Sequence, residues 1–357
     1  MALPVFAHPK VALLSLATAV PPTILTQPEA KALACRLFGR RTSHFEKLAP
    51  VFDNAGIARR YIVRPVDWYE GAHGWKARND VYLEAAEQLY VEAAGKALDQ
   101  AGLGAGEVDG LVTVSTTGIA TPSLEARVAG RMGFRNDVER VPVFGLGCAG
   151  GVTGLATAAR LAGAEAGRTI LFVTVELCSI AIRLDKLSKA NIVATALFAD
   201  GAAAAVLRAG PGGLAQVEGG GEILWPETLG IMGWDVEDPG LGVIFDRAIP
   251  PFVEDNMARA VEQILARVGH RREEVERFTC HPGGAKVVAA LEQSLGLADG
   301  ALDHERAVLR DYGNMSAPTV LFVLERLLAA GMPARTLLLA LGPGFTTSGL
   351  SLARVSS

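Results

Sequence analysis

Short uncharged apolar runs alternate along the chain with stretches whose apolar residues recur every three to four positions. Residues 108–115, 141–146, 168–175, 278–280 and 335–341 read as buried strands. Ala86, Leu89, Tyr90, Ala93 and Ala97 fall on one face of a helix predicted over 79–101, and 316–330 predicts a mostly buried helix stopped by Gly331. Strands separated by helices predict an α/β body in which helices cover a central sheet. Residues 210–221 hold six glycines in twelve positions, which marks either a seam between two halves, 1–212 and 213–357, or a plain hairpin turn. No short-period repeat is present, which excludes solenoids.

At 357 residues the chain has room for roughly two units of ~150 residues. Hydrophobic residues make up 50% and charged residues 20%, which excludes disorder. The net charge of −4 offers no attraction to a phosphate backbone, so no nucleic-acid partner is expected. Four cysteines (Cys35, Cys148, Cys178, Cys280) are too few for a disulfide framework and form no C-x-x-C pair, so a reducing, cytoplasmic setting without a metal site is expected. Two segments imitate membrane signals: 11–20, apolar behind Lys10, and 141–159, which has no charge. The first continues into Pro21-Pro22 and reads as a buried strand rather than a secretion signal, and the second holds Pro142 and five glycines and reads as a strand-turn-helix corner rather than a span.

Residues 143–151, VFGLGCAGG, deliver a cysteine at a glycine-flanked turn from strand to small-residue helix. A helix N-terminus favours a thiolate at Cys148, and the glycines let substrate approach; the plain alternative is a small buried hydrophobe. His281 stands where an apolar strand enters His-Pro-Gly-Gly, either as a functional or as a structural histidine. The remaining histidines, His8, His44, His73, His270 and His304, lie in polar or loop contexts. Asn314, in Asp-Tyr-Gly-Asn-Met-Ser, stands ahead of a buried helix, where an ordinary helix cap is the simplest explanation. Gly342, Pro343, Gly344 and Phe345 follow an apolar strand as a tight hairpin or a pocket-lining loop. Together they offer a nucleophile, a histidine and an asparagine at loop-facing strand ends.

The order Cys148, Phe198 in Ala-Leu-Phe-Ala-Asp-Gly, His281, Asn314 and then Gly-Pro-Gly-Phe resembles the chalcone synthase-like type III polyketide synthases across nearly the whole chain. Residues 17–22, Ala-Thr-Ala-Val-Pro-Pro, resemble that family's first strand and turn. The resemblance implies a thiolase-like fold of two related halves in five αβαβα layers, a homodimer, and no metal or organic cofactor. It implies an acyltransferase that takes an acyl group from coenzyme A onto Cys148 and extends it iteratively with malonyl-CoA before cyclisation. His281 and Asn314 then supply donors to oxyanion and enolate, His281 also pairs with Cys148 as thiolate and imidazolium, and Phe198 forms an apolar wall. Val243 stands where plant chalcone synthases carry a bulky phenylalanine, and the setting of Trp234 is similar to that in bacterial members, among them alkylpyrone and alkylresorcinol synthases. A fatty acyl starter follows as the expectation. Lys47 matches one basic residue that holds coenzyme A, whereas Pro50 and Asn54 replace two others. Three rivals are a single-condensation ketoacyl synthase III, a papain-type hydrolase and a non-catalytic acyl-binding paralogue. The His-Pro-Gly-Gly and Gly-Pro-Gly motifs, the cysteine's flanks and the complete Cys, His, Asn set argue against each in turn.

Overall fold

The computed structural model describes residues 10–39, 45–183 and 185–355, so His8 and His44 lie outside it. The chain runs through β1 (Val11–Ala19), β2 (Thr23–Thr26), α1 (Gln27–Phe38), the one-turn helices α2 (Phe45–Leu48) and α3 (Pro50–Asp53), and β3 (Arg59–Ile62). It continues through α4 (Trp75–Ala101), β4 (Gly110–Val114), α5 (Leu124–Met132), β5 (Glu139–Val143), α6 (Gly150–Ala162), β6 (Thr169–Leu177), α7 (Lys189–Leu197) and β7 (Asp200–Ala209). Then follow β8 (Ala215–Leu224), β9 (Met232–Glu237), β10 (Gly240–Phe245), α8 (Ile249–Arg267), β11 (Arg277–Cys280) and α9 (Ala285–Ser294). The last elements are α10 (Asp303–Tyr312), α11 (Thr319–Ala330), β12 (Arg335–Gly342) and β13 (Thr346–Ala353).

Nine strands form one sheet in the order β11-β12-β13-β8-β1-β7-β6-β4-β5. The arrangement repeats on either side of the β1–β8 junction. A parallel pair (β4 with β6, β11 with β12) is followed by an antiparallel partner (β7, β13) and by a second antiparallel strand (β1, β8). The halves join where Val11–Leu13 pairs with Ala215–Val217. The glycine-rich segment is no hairpin, because β7 and β8 lie on opposite sides of β1. Residues 210–214 cross the end of β1 instead, Gly210 and Leu214 donating N–H bonds of 2.7 Å to Lys10 and Leu13 carbonyls.

Two helices fill the space between the halves. Val152 and Leu155 of α6 and Val320, Leu321 and Leu324 of α11 share one core with Val112, Phe172, Leu338 and Leu350 of the sheet. Each fully buried side chain of this kind contributes about 1.5–3 kcal/mol, which outweighs the missing side-chain caps at both helices. Tyr82, Leu89 and Tyr90 of α4 and Leu124 of α5 cover the outer face of the first half. Met257 and Ile264 of α8, with Val288 and Leu291 of α9, cover that of the second. The layers are therefore αβαβα, as expected.

The five predicted strands and both predicted helices are present, with shifted ends. β5 stops at Val143 because Gly145 and Gly147 turn the chain at φ of 95° and 47°. α11 starts at Thr319 rather than at 316, because Pro318 occupies its N-cap and Ser316 adopts φ 60°. Residues 11–19 form a strand at the centre of the sheet, and no described helix is long and apolar enough to cross a membrane.

Candidate active site

Cys148 sits in a single 3-10 turn, Gly147–Ala149, that opens onto the N-terminus of α6. The turn packs against the loop between β12 and β13. A Cβ at Gly147 would lie 2.7 Å from the Pro343 ring, and one at Gly342 would lie 2.7 Å from the Leu146 carbonyl oxygen. The glycines thus permit two backbones to touch, and Pro343 reaches the cavity wall beside the thiol.

β11 delivers His281. Its backbone N–H extends the ladder to Leu339 O at 2.7 Å, while both ring nitrogens are buried without a partner among the described residues. Asn314 is 1% exposed and does not cap α11. Its Oδ1 accepts the Ser316 N–H at 2.8 Å and its Nδ2 donates to Gly283 O at 3.0 Å. The amide is thereby fixed in one orientation with one N–H still to give. A backbone bridge ties this residue to the other half: Asn314 N–H donates to Leu197 O and Ala199 N–H to Asn314 O, both at 2.9 Å, alongside Phe198.

Cys148, His281, Asn314, Phe198, Trp234, Val243 and Pro343 line one cavity of about 640 Å³, its open mouth included. Trp234 and Val243 face each other across the β9–β10 pair, and the rings of Phe198 and Trp234 meet edge to face, centroids 6.0 Å apart. Met232, Ile244, Phe245, Ile249, Val287 and Leu341 complete a wall that is almost wholly apolar. Burial pushes the Cys148 thiol up to about 11, against a lowering bond from the Ser316 side chain and with a further rise from Glu176. Burial alone takes the His281 imidazole down to about 4. Burial thus opposes the charged form of each group, against the thiolate that a helix N-terminus favours.

Other expected residues lie elsewhere. Gly342 abuts the cysteine turn, Gly344 faces Leu224, and Phe345 is fully buried against Trp225 and Phe252. None of the three lines the cavity, nor does Lys47, which is exposed on α2. Arg60 went unforeseen. Buried at 1% exposure on β3, it donates to the carbonyls of Thr195 at 2.9 Å, Ala196 at 2.7 Å and Phe198 at 3.1 Å, and to Gln27 Oε1. These are the carbonyls left free at the end of α7, so a guanidinium closes that helix behind Phe198. Burial takes its pKa down to about 9, opposed in part by the field of buried Asp200, whose oxygens accept Ser179 N–H at 2.7 Å and Val63 N–H at 2.8 Å. The sequence signal at this position is no more than two adjacent arginines, Arg59 and Arg60.

Residues 4–211 match the family model of chalcone and stilbene synthases, N-terminal domain, and residues 217–356 match the model of their C-terminal domain. The chain is 39% identical to 1,3,6,8-tetrahydroxynaphthalene synthase of Streptomyces peucetius subsp. caesius, over 92% of this chain and 89% of that one. It is 34% identical to a putative chalcone synthase of Bacillus subtilis (strain 168), over 94% and 96%. Its fold superposes on the crystal structure of 1,3,6,8-tetrahydroxynaphthalene synthase from Streptomyces coelicolor A3(2) with a TM-score of 0.91 and 29% identity, covering 97% of this chain and 100% of that one. Family models that match on both sides of the β1–β8 junction, and a cavity that gathers Cys148, Phe198, His281 and Asn314, lead to one assignment: the chain belongs to the chalcone and stilbene synthase family and is a type III polyketide synthase, an acyltransferase that condenses malonyl-CoA.

Proposed function

We propose that this enzyme loads an acyl group with an apolar tail from coenzyme A onto Cys148, extends it with malonyl-CoA, and closes the product to a pyrone or to a resorcinol- or phloroglucinol-type ring. The apolar wall of the cavity carries this reading, since an alkyl tail is the starter that such a surface holds. Proton transfer from Sγ to the His281 imidazole creates two opposite charges that offset each other's burial. Sγ then attacks the thioester carbonyl and the coenzyme A thiolate departs. Loss of carbon dioxide from the malonyl thioester leaves an enolate, whose oxygen accepts bonds from His281 and from the free Asn314 N–H. The enolate carbon attacks the acyl carbonyl on Cys148 and expels Sγ. Phe198 offers the malonyl carboxylate an unsolvated wall that favours its loss as neutral carbon dioxide. Both reactants arrive activated as thioesters, so the scheme needs neither metal nor organic cofactor. Exposed Lys47 would hold coenzyme A phosphates, and we take the working unit to be a homodimer in a reducing, cytoplasmic setting.

A second reading, a malonyl-derived starter giving a tetrahydroxynaphthalene-type product, is favoured by the 39% identity to a synthase of that name. A starter panel separates them: malonyl-CoA alone, hexanoyl-CoA and lauroyl-CoA, with wild type and Val243→Phe. The alkyl reading expects lauroyl-CoA to be preferred, and the added ring to lower the lauroyl over hexanoyl ratio of kcat/KM about tenfold, equivalent to about 1.4 kcal/mol. Faster product formation from malonyl-CoA alone than with either acyl-CoA would establish the second reading instead.

A further inference from the structure

The hairpin β9–β10 carries Trp234 and Val243 into the cavity yet pairs with no other strand among the described residues. Its position cannot come from the main sheet, so it must come from its base, its inner side chains and its tip. The tip is held by charge. Arg183, whose side chain is 3% exposed, reaches the Glu237 carboxylate at 3.2 Å and Gly240 O at 3.3 Å, and Lys186 bonds the same carboxylate. Trp75 Nε1 donates to Glu237 O at 2.6 Å from the start of α4. Two glycines make room for this arrangement: a Cβ at Gly242 would lie 2.6 Å from Glu237 Oε1, and one at Gly240 would lie 3.1 Å from the Arg78 side chain.

We propose that the Arg183, Glu237 and Lys186 cluster is a specificity device: it clamps the hairpin tip and so sets how far Trp234 and Val243 stand from Phe198 and Cys148, which limits the length of acyl starter admitted. These are positioning residues, acting through Trp234 and Val243. The proposal rests on the reading of this cavity as the acyl site. Glu237 is the residue that joins the cations to the tip: Arg183 is anchored by Asp185 on its own segment, and Glu237 is the hairpin carboxylate that both Arg183 and Lys186 reach. A neutral residue at 237 leaves Lys186 without its carboxylate and Arg183 paired with Asp185 alone, so that neither cation holds the tip by charge.

The test uses the full chain as wild type, Glu237→Gln and Glu237→Asp. Hydrogen exchange of amides 232–245, the lauroyl over hexanoyl ratio of kcat/KM, and carbon dioxide release from malonyl-CoA alone are measured for each. In Glu237→Gln, hairpin exchange should quicken about tenfold and the ratio rise about tenfold, with decarboxylation within about twofold of wild type. Glu237→Asp, which keeps the charge, should recover most of the wild-type ratio. Unchanged hairpin exchange, an unchanged ratio in spite of faster exchange, or a ratio that Glu237→Asp leaves as altered as Glu237→Gln does, each overturns the clamp. Wild-type enzyme that forms no product from any acyl-CoA overturns the acyl-site reading itself and the clamp with it.

Discussion

Cys148 and His281 each sit in surroundings that disfavour their charged forms. The thiol of wild type should ionise at lower pH than that of His281→Ala, where only the half-buried cysteine with its raised pKa is left. Iodoacetamide alkylation of Cys148 followed against pH checks this. The wild-type profile should rise first and that of His281→Ala should move toward about 11, the position burial gives the thiol. Coincident profiles would mean that the imidazole takes no proton from Sγ. The local pattern made Cys148 legible, because a strand ending in Gly-x-Gly-Cys before small residues can hardly be anything but a sharp corner. Desolvation was not legible. It depends on Phe198, Trp234 and Leu341, which come from three distant parts of the chain to close the cavity around the thiol.

Among the elements, β4, β5, β6, β11 and β12 could be read from their apolar runs, whereas β7, β8, β9, β10 and β13 were not. The glycines at the start of β8 read as a seam or a hairpin turn. In the structure, Gly220 passes against the Gly349 backbone and Gly242 leaves space for the ion cluster, so glycine here records a close neighbour rather than a bend. Arg60 escaped for a related reason: its partner Thr195 lies 135 residues away. Closing α7 from β3 makes it a structural keystone with a measurable cost of removal. Arg60→Met would leave carbonyls at the end of α7 unpaired in a buried site. Breaking such a buried arrangement costs about 3–5 kcal/mol, so denaturant unfolding should show the midpoint falling with the slope unchanged. A loss below about 1 kcal/mol, the range of surface ion pairs, would show that the guanidinium is not needed there.

For the molecule as a whole, the repeated strand order is what makes the site possible. The β1–β8 junction sets two similar halves side by side, with α6 and α11 starting near each other between them. Cys148 precedes one helix and Asn314 the other, and a Cβ at Gly151 would strike the Ala317 backbone, so the two helix starts are in contact. Cys148 thus comes from one half, and His281 and Asn314, the enolate donors of the proposed scheme, come from the other. No local periodicity displays that arrangement; the α/β class and the motif order were legible, and the duplication became visible only through strand pairing. The most direct measurement is intact mass with peptide mapping after mixing with lauroyl-CoA, then with malonyl-CoA added. The account predicts one acyl group, on Cys148 alone and absent from Cys148→Ala, followed by released products that exceed the starter by more than one two-carbon unit. Acyl groups on Cys35, Cys178 or Cys280, or products that stop after one extension, would contradict it.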